Sequence, residues 1–260
     1  IFLSLKVELN QNLSDSQSLL FSVDKFDDRF DLFDISVNGY FCGELKALQR
    51  PPPFKQEAIG EVAGHVKTNE FCGTTSLIIG GSRGLGELTA KILASGGGKT
   101  IITYAQSCNQ AKAVNDEINS SNLGACEIVG YDILHDTIES LDIDFNSLQM
   151  IYFFATPRIF RKKSALFVEA LYDEFVTAYV KKLFSICVYL ESNLKNRLRI
   201  YFPSTLAVEN RGNDLTEYAM AKSSAEILIA DINKTFKKVS IYSTRLPRLS
   251  TDHPSTSFKV

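Results

Sequence analysis

The sequence predicts an α/β protein, a doubly wound parallel sheet preceded by a small antiparallel β meander. Three observations predict it. After about Thr75, short apolar runs alternate with stretches of helical period. Before residue 50 the apolar residues alternate with period two. Between the two regimes stands Arg50-Pro51-Pro52-Pro53, where three prolines remove backbone donors and stiffen the chain.

The first regime runs from Gln17 to Leu48. Leu19, Phe21 and Val23 alternate, then Phe30, Leu32 and Ile35, then Tyr40 and Phe41 with Leu45 and Leu48. Asn38-Gly39 sits between two of these runs and readily supplies the positive φ angles of a tight type I′ hairpin turn. Residues 1–54 therefore form the antiparallel segment, 55–74 a linker, and 75–260 the α/β domain. In that domain the strands are expected at Ser76 to Gly80, Thr100 to Tyr104, Cys126 to Asp132, Met150 to Ala155, Arg199 to Ser204 and Val239 to Leu246. Their apolar character suits strands covered on both faces. Leu85, Leu88, Ile92 and Leu93 make one helical stripe; Phe175, Val176, Tyr179, Val180, Leu183, Phe184 and Cys187 make another. Both read as core faces.

Composition narrows the function classes. The 260 residues are 45% hydrophobic and 22% charged, enough for one sizeable core with a smaller appendage. A formal net charge of -2 gives no bulk attraction for nucleic acid or an anionic membrane surface, so any ligand is recognised locally. No apolar run reaches the ~18 residues of a membrane span, and no charged region precedes the apolar opening at Ile1 to Leu5. The five cysteines, Cys42, Cys72, Cys108, Cys126 and Cys187, are scattered without a CxxC pair and read as buried fillers in a reduced, cytoplasmic protein. His65, His135 and His253 lack ligand-like spacing, so no metal is expected. An opening Ile rather than Met reads as a fragment of something longer.

The chemistry-bearing motifs follow. Directly after the first α/β strand stands Ile79-Gly80-Gly81-Ser82-Arg83-Gly84-Leu85-Gly86-Glu87, with a helical stripe behind it. A glycine turn between strand and helix lets backbone approach a pyrophosphate, while the helix N-terminus favours its charge. Gly96-Gly97-Gly98, by contrast, reads as a helix cap and loop. The second α/β strand ends in Thr103-Tyr104-Ala105-Gln106-Ser107 without the acid that would repel a ribose 2′-phosphate, and Arg83 could pair with one. NADP(H) is favoured.

Tyr218-Ala219-Met220-Ala221-Lys222 opens a predicted helix, and a spacing of four puts both functional side chains on one face. An ammonium near a phenol favours phenolate and lowers the tyrosine pKa from ~10. Such a tyrosine can hand its proton to a carbonyl oxygen as hydride reaches the carbon. Ser204-Thr205, at the end of a strand upstream, offers a hydroxyl to hold that oxygen.

In these motifs and their order the chain resembles the short-chain dehydrogenase/reductase family, whose domain is a Rossmann-type sheet. Gly80, Gly84 and Gly86 fall on the family's TGxxxGxG turn, with Ile79 in place of its Thr; Tyr218 and Lys222 fall on its YxxxK pair. The resemblance implies cofactor contacts from Gly81, Ser82, Leu85, Tyr104 and Ser107 as well. It implies adenine contacts from Asp132-Ile133 and a ribose wall at Phe154-Ala155-Thr156-Pro157, where Ala155 alone matches the family's NNAG. Thr205 aligns with the catalytic serine and Ser204 is its neighbour. Tyr179 stands where the family keeps an asparagine for its proton-relay water. Pro247 matches a proline beside the nicotinamide, followed by Arg248 in place of glycine and by Thr251. The resemblance covers roughly residues 75 to 251 and leaves the domain short of the usual C-terminal lid.

The amino-terminal segment, with Asp28-Arg29-Phe30 and Leu45 to Pro51, resembles the final strands of a hot-dog-fold thioester dehydratase. Together these likenesses imply a ketoreductase acting on a 3-oxoacyl thioester of coenzyme A or a carrier protein in fatty acid or polyketide biosynthesis, and a homo-oligomer. Two other readings stay open. One is a cofactor-binding domain without turnover inside a larger lipid or polyketide synthase; the other is an epimerase or dehydratase that uses the cofactor transiently.

Overall fold

A computed structural model of the chain describes residues 2–9, 18–28, 32–48, 55–159, 165–212, 214–247 and 249. The chain divides into two compact units, one from its first 54 residues and one from residues 55–253. The Arg50 to Pro53 run, Arg29, Phe30, Arg248 and Thr251 lie outside the described residues.

The first unit is a four-stranded antiparallel sheet of β1 (Phe2–Leu9), β2 (Leu19–Asp27), β3 (Leu32–Gly39) and β4 (Phe41–Leu48), in the order β1-β4-β3-β2. β1 is a strand that the sequence reading does not include, although Leu3, Leu5, Val7 and Leu9 alternate with Ser4, Lys6 and Glu8. Register sets Leu5 beside Leu45, Leu45 beside Ile35 and Ile35 beside Val23, so one face of the sheet is apolar across all four strands. The type I′ turn expected at Asn38-Gly39 is not formed. Both residues pair with β2, Asn38 opposite Leu20 and Gly39 opposite Leu19, and only Gly39 has a positive φ, of 127°. Pairing on that side holds them in the strand, and the hairpin reverses one residue later, at Tyr40.

The second unit is the expected parallel sheet. Its strands are β5 (Thr75–Ile79), β6 (Lys99–Tyr104), β7 (Ala125–Gly130), β8 (Met150–Phe153), β9 (Leu198–Thr205) and β10 (Val239–Leu246), in the order β10-β9-β8-β5-β6-β7. Strand order reverses direction between β5 and β8, which opens a crevice at the carboxyl ends of those two strands. β8 stops at Phe153, before Ala155, because the amides of Phe154 and Ala155 both donate to the Ile79 carbonyl and curl the chain over the end of β5. Alternation along each strand feeds two cores. Leu77, Ile79 and Ile101 join one cluster, while Ile78 and Ile102 join the other, on the opposite face.

The second cluster is covered by α1 (Ile59–Ala63), α2 (Gly84–Ser95) and α3 (Cys108–Ser121). The 55–74 segment, expected as a linker, thus folds onto this unit. Ile59 is buried in the cluster and its amide donates to Glu117 Oε1 at 2.8 Å. A five-residue helix with two buried apolar side chains is too short for its period to show. On α2 the buried apolar face is Ala90, Leu93 and Ala94, while Leu85, Leu88 and Ile92 are half-buried. Lys91 is only 2% exposed, with Nζ 2.8 Å from Glu87, 3.0 Å from Glu117 and 3.0 Å from the Glu57 carbonyl. The loop after α2 closes as read, with Gly97 at φ 85° and the amides of Gly97 and Gly98 donating to Ala94 and Leu93.

The first cluster is covered by α4 (Glu169–Val176), α5 (Lys182–Asn193) and α7 (Thr216–Thr235), with the short α6 (Ala207–Asn210) before α7. Between α4 and α5 the helix continues through one π-type turn, Thr177–Lys181. Phe175, Tyr179, Leu183 and Cys187 recur every four residues, a spacing that drifts about 40° per step around a 3.6-residue helix. One wider turn takes up part of that drift, and all four side chains stay buried. Phe184, expected in the same stripe, is 45% exposed. Of the cysteines only Cys126 and Cys187 are buried, and burial pushes their thiols up to about 11 and about 12; Cys72 is exposed. Among the described residues no cluster could hold a metal ion, and no helix is long and apolar enough to cross a membrane.

Lys91 ties α1, α2 and α3 together. Lys91→Ala strands Glu87 and Glu117 beside each other and is expected to destabilise the chain by about 2 kcal/mol in chemical denaturation, whereas Lys91→Met should lose less.

Candidate active site

The glycine turn leaves the carboxyl end of β5 and enters α2. Gly80 has φ 87° and its missing side chain is essential: a Cβ there would lie 2.5 Å from the Ala155 amide nitrogen at the end of β8. A Cβ on Gly86 would lie 2.1 Å from the Gly80 carbonyl oxygen. Ile79 is fully buried, and a hydroxyl from β6 supports the turn instead. Thr103 Oγ1 accepts from the Gly80 amide, and its carbonyl accepts from Gly81, both at 3.0 Å.

Arg83, the N-cap residue of α2, is exposed and makes no ion pair among the described residues. With Gln106, Ser107, Cys108, Asn109 and Gln110 it lines an open cleft of about 410 Å³ that contains no acid. Tyr104 is half-buried at the end of β6, beside this cleft, and Leu85 is half-buried in the first turn of α2. Tight glycines at a helix N-terminus and one free guanidinium in an acid-free cleft suit a ligand with a pyrophosphate and a further phosphate. Asp132 and Ile133 lie just after β7. The Asp132 carboxylate accepts from the Leu134 amide at 2.9 Å and lies 3.0 Å from His135 Nδ1, and Ile133 is buried in the core. Pro247 is exposed just beyond β10.

The second group of residues gathers at the carboxyl end of β9, two strands from the glycine turn. Tyr218, Lys222 and Glu226 follow one another at four-residue intervals on one face of α7. Ser204 and Thr205, adjacent on β9, point to opposite faces. Ser204 is buried on the same side of β9 as Ile200 and Phe202 and donates to Glu226, two helical steps along α7 from Tyr218. Thr205 accepts from the Ala207 amide at 3.1 Å, and its hydroxyl is near enough to Tyr218 to pull the phenol's pKa down. Of the two hydroxyls, Thr205 is the one beside the tyrosine.

Lys222 is 4% exposed, and Nζ donates to the Pro203 carbonyl at 2.6 Å. Its ammonium lies 4.0 Å from the ring centre of Tyr179, 4.2 Å from that of Phe202 and 6.0 Å from that of Tyr218. Burial pushes the lysine down to about 7, against the opposing pull of Glu226. Tyr218 moves the other way from the sequence expectation. Burial raises it above the ordinary phenol value, and the neighbouring Thr205 hydroxyl only partly offsets this. The reason is geometric, since the ammonium is drawn to a backbone carbonyl and ring faces rather than to the phenol oxygen.

Tyr179, aligned with the family's asparagine, is fully buried in the π turn. Its hydroxyl is paired with Thr156 Oγ1, which joins the end of β8 to the lysine site. Phe175 stacks on Tyr179 at 5.9 Å and meets the edge of Tyr218 at 5.7 Å. Sequence reasoning missed Thr103, Glu226 and Arg245. Arg245, opposite Ser204 in the β9–β10 register, holds Glu226 through Nε at 2.9 Å and Nη2 at 2.5 Å, and Glu209 through Nη1 at 2.6 Å. Glu226 had a signal, because it extends the Tyr218, Lys222 spacing by one more step of four.

No protein-family model and no curated protein matches the chain. Solved structures do. One is FolM alternative dihydrofolate reductase 1 from Brucella canis, complexed with NADP, at TM-score 0.57 and 16% identity over 66% of this chain and 72% of that one. Another is a short-chain dehydrogenase/reductase from Serratia marcescens, at TM-score 0.54 and 19% identity over 67% and 74%. A third is the promiscuous reductase LugOII, which catalyses keto-reduction at C1 during lugdunomycin biosynthesis, at 0.58 and 18% over 68% and 75%. The chain has the short-chain dehydrogenase/reductase fold. Within that fold, the glycine turn and the Tyr218, Lys222, Thr205 group of this chain share the carboxyl edge of the sheet, with β8 between them.

The lysine's position sets a pH dependence. In the unfolded chain Lys222 keeps its proton up to about 10.5, and in the folded chain only up to about 7. Below the lower value both states are protonated and the penalty of burial is constant. Between the two values the unfolded state binds the extra proton, so stability rises with pH, by at most about 1.4 kcal/mol per unit. Relative to Lys222→Met, the native chain should therefore gain stability between about pH 7 and 10 in denaturant titrations; parallel curves would contradict the burial.

Proposed function

We propose that the α/β unit is an NADP(H)-dependent oxidoreductase that reduces carbonyls, with 3-oxoacyl thioesters as its substrate class. The observation that carries the reading is the gathering of Thr205, Tyr218 and a buried Lys222 at the edge of the sheet where the glycine turn opens. Bound NADPH would supply the hydride. The chain's own residues do the rest. Gly80, Gly81, Ser82, Gly84 and Gly86 leave room for a pyrophosphate, Arg83 and Ser107 would hold the 2′-phosphate, and Tyr104, Ala155, Thr156 and Pro247 would border the nucleotide. Thr205 holds the carbonyl oxygen, Tyr218 gives it a proton, and Lys222 supplies positive charge beneath the site.

Support for the cofactor comes from the acid-free cleft around Arg83 and from the NADP complex of FolM, which has the same fold. Support for a keto substrate comes from the site chemistry and from the keto-reduction performed by LugOII. The thioester class rests on the resemblance of the amino-terminal sequence, at Asp28-Arg29-Phe30 and Leu45 to Pro51, to a thioester dehydratase, and it brings an acyl carrier protein into view as a partner. A second reading has its own observation. The raised Tyr218 and the aromatic Tyr179 at the asparagine position suit a domain that binds cofactor without turnover, in a structural or regulatory role.

NADPH oxidation with an acetoacetyl thioester separates the two. The native chain should turn over, and Tyr218→Phe should fall by at least about a hundredfold, the scale of general acid catalysis. Equal rates would sink the assignment; tight NADPH binding without turnover on a broad carbonyl panel would favour the second reading. In calorimetric titrations Arg83→Ala should weaken NADPH about tenfold, one charge-assisted contact, and leave NADH unchanged.

A further inference from the structure

The Lys222 ammonium has three N–H donors and is cut off from water, yet among the described residues it meets a single hydrogen-bond acceptor, the Pro203 carbonyl. Its other close neighbours are the ring faces of Tyr179 and Phe202, at 4.0 and 4.2 Å. The titratable and charged groups around it come from four elements. Glu226 and Tyr218 belong to its own helix, with the Glu226 carboxylate already engaged by Ser204 and Arg245 of β10; Tyr179 belongs to the π turn, and Glu174 of α4 lies toward Tyr179. An aliphatic side chain could fill the volume of Tyr179, so packing alone does not require an aromatic there. A desolvated ammonium does, because a ring face supplies the negative potential that an acceptor would. The Tyr179 hydroxyl is pinned by Thr156, and the ring is stacked on Phe175 at an interplanar angle of 11°, which fixes that face toward Nζ.

We propose that Tyr179 is a positioning residue for Lys222: with Phe202 it forms an aromatic cage that keeps the buried ammonium charged and aimed beneath Tyr218, the hydroxyl serving only to orient the ring. This deepens the carbonyl-reductase reading, since it names what holds the site's cation in a chain without the family's asparagine. The cage places the charge by cation–π attraction, which neither a water nor an amide is needed to supply.

The test reads the lysine without turnover, so it stands apart from the reductase assignment. In protein labelled at lysine Cε and Nζ, the Lys222 resonance is assigned by its loss in Lys222→Met and titrated by NMR. Tyr179→Met, which fills the volume without a ring, should lower the Lys222 midpoint by about one pH unit, while Tyr179→Phe should stay within a few tenths of native. Phe202→Leu should shift it in the same direction as Tyr179→Met and keeps the proposal falsifiable if that variant does not fold. An unchanged midpoint in Tyr179→Met or Phe202→Leu, or a fall in Tyr179→Phe as large as in Tyr179→Met, would overturn the cage. A native Lys222 titrating like a solvated lysine would overturn it as well.

Discussion

Burying one ammonium is the constraint around which this site is organised. Lys222 reaches into a pocket walled by β9, the π turn and its own helix, where water is replaced by one carbonyl and two ring faces. An unpaired cation in such a place is costly, and the surroundings answer it layer by layer. Glu226 sits one helical step below, and Arg245 and Ser204 hold Glu226 in turn. The same burial drives the two functional groups in opposite directions, lysine down to about 7 and Tyr218 above its ordinary value.

Topology brings this assembly to the glycine turn. All six strands run parallel, so their carboxyl ends share one edge, and β8 is the strand between β5 and β9. Gly80 packs against Ala155, and Thr156 pairs with Tyr179 one position further along the same segment. A short stretch after β8 therefore touches both the glycine turn and the surroundings of Lys222. Thr156 and Tyr179 are hydrogen-bond partners, so a change at either position leaves the other hydroxyl without this contact.

Much of the fold was legible because its signals are local. Strand cores such as Leu77-Ile78-Ile79 are apolar in succession, as strands covered on both faces must be, and β10 was read with its observed limits. The glycine turn and the Tyr218, Lys222 spacing were legible for the same reason. What escaped was set by partners far away in the chain. The Asn38-Gly39 turn moved because β2 holds both residues in register. Thr103 could not be singled out, since its role comes from strand pairing and not from its neighbours. Ser204 and Thr205 part company because Glu226 of α7 engages the Ser204 hydroxyl, and the fate of the Lys222 charge depends on rings from two other elements. Family spacing led to a lowered tyrosine; burial, which spacing does not encode, raises it.

The central claim is that this edge of the sheet carries hydride transfer to a carbonyl with Tyr218 as the proton donor. The most direct measurement is isotopic. NADPH deuterated at both C4 positions is incubated with the native chain and an acetoacetyl thioester, and the product is analysed by mass spectrometry. The account predicts a 3-hydroxyacyl product carrying one deuterium at C3; a product formed without deuterium, or none formed although NADPH is bound, would contradict it.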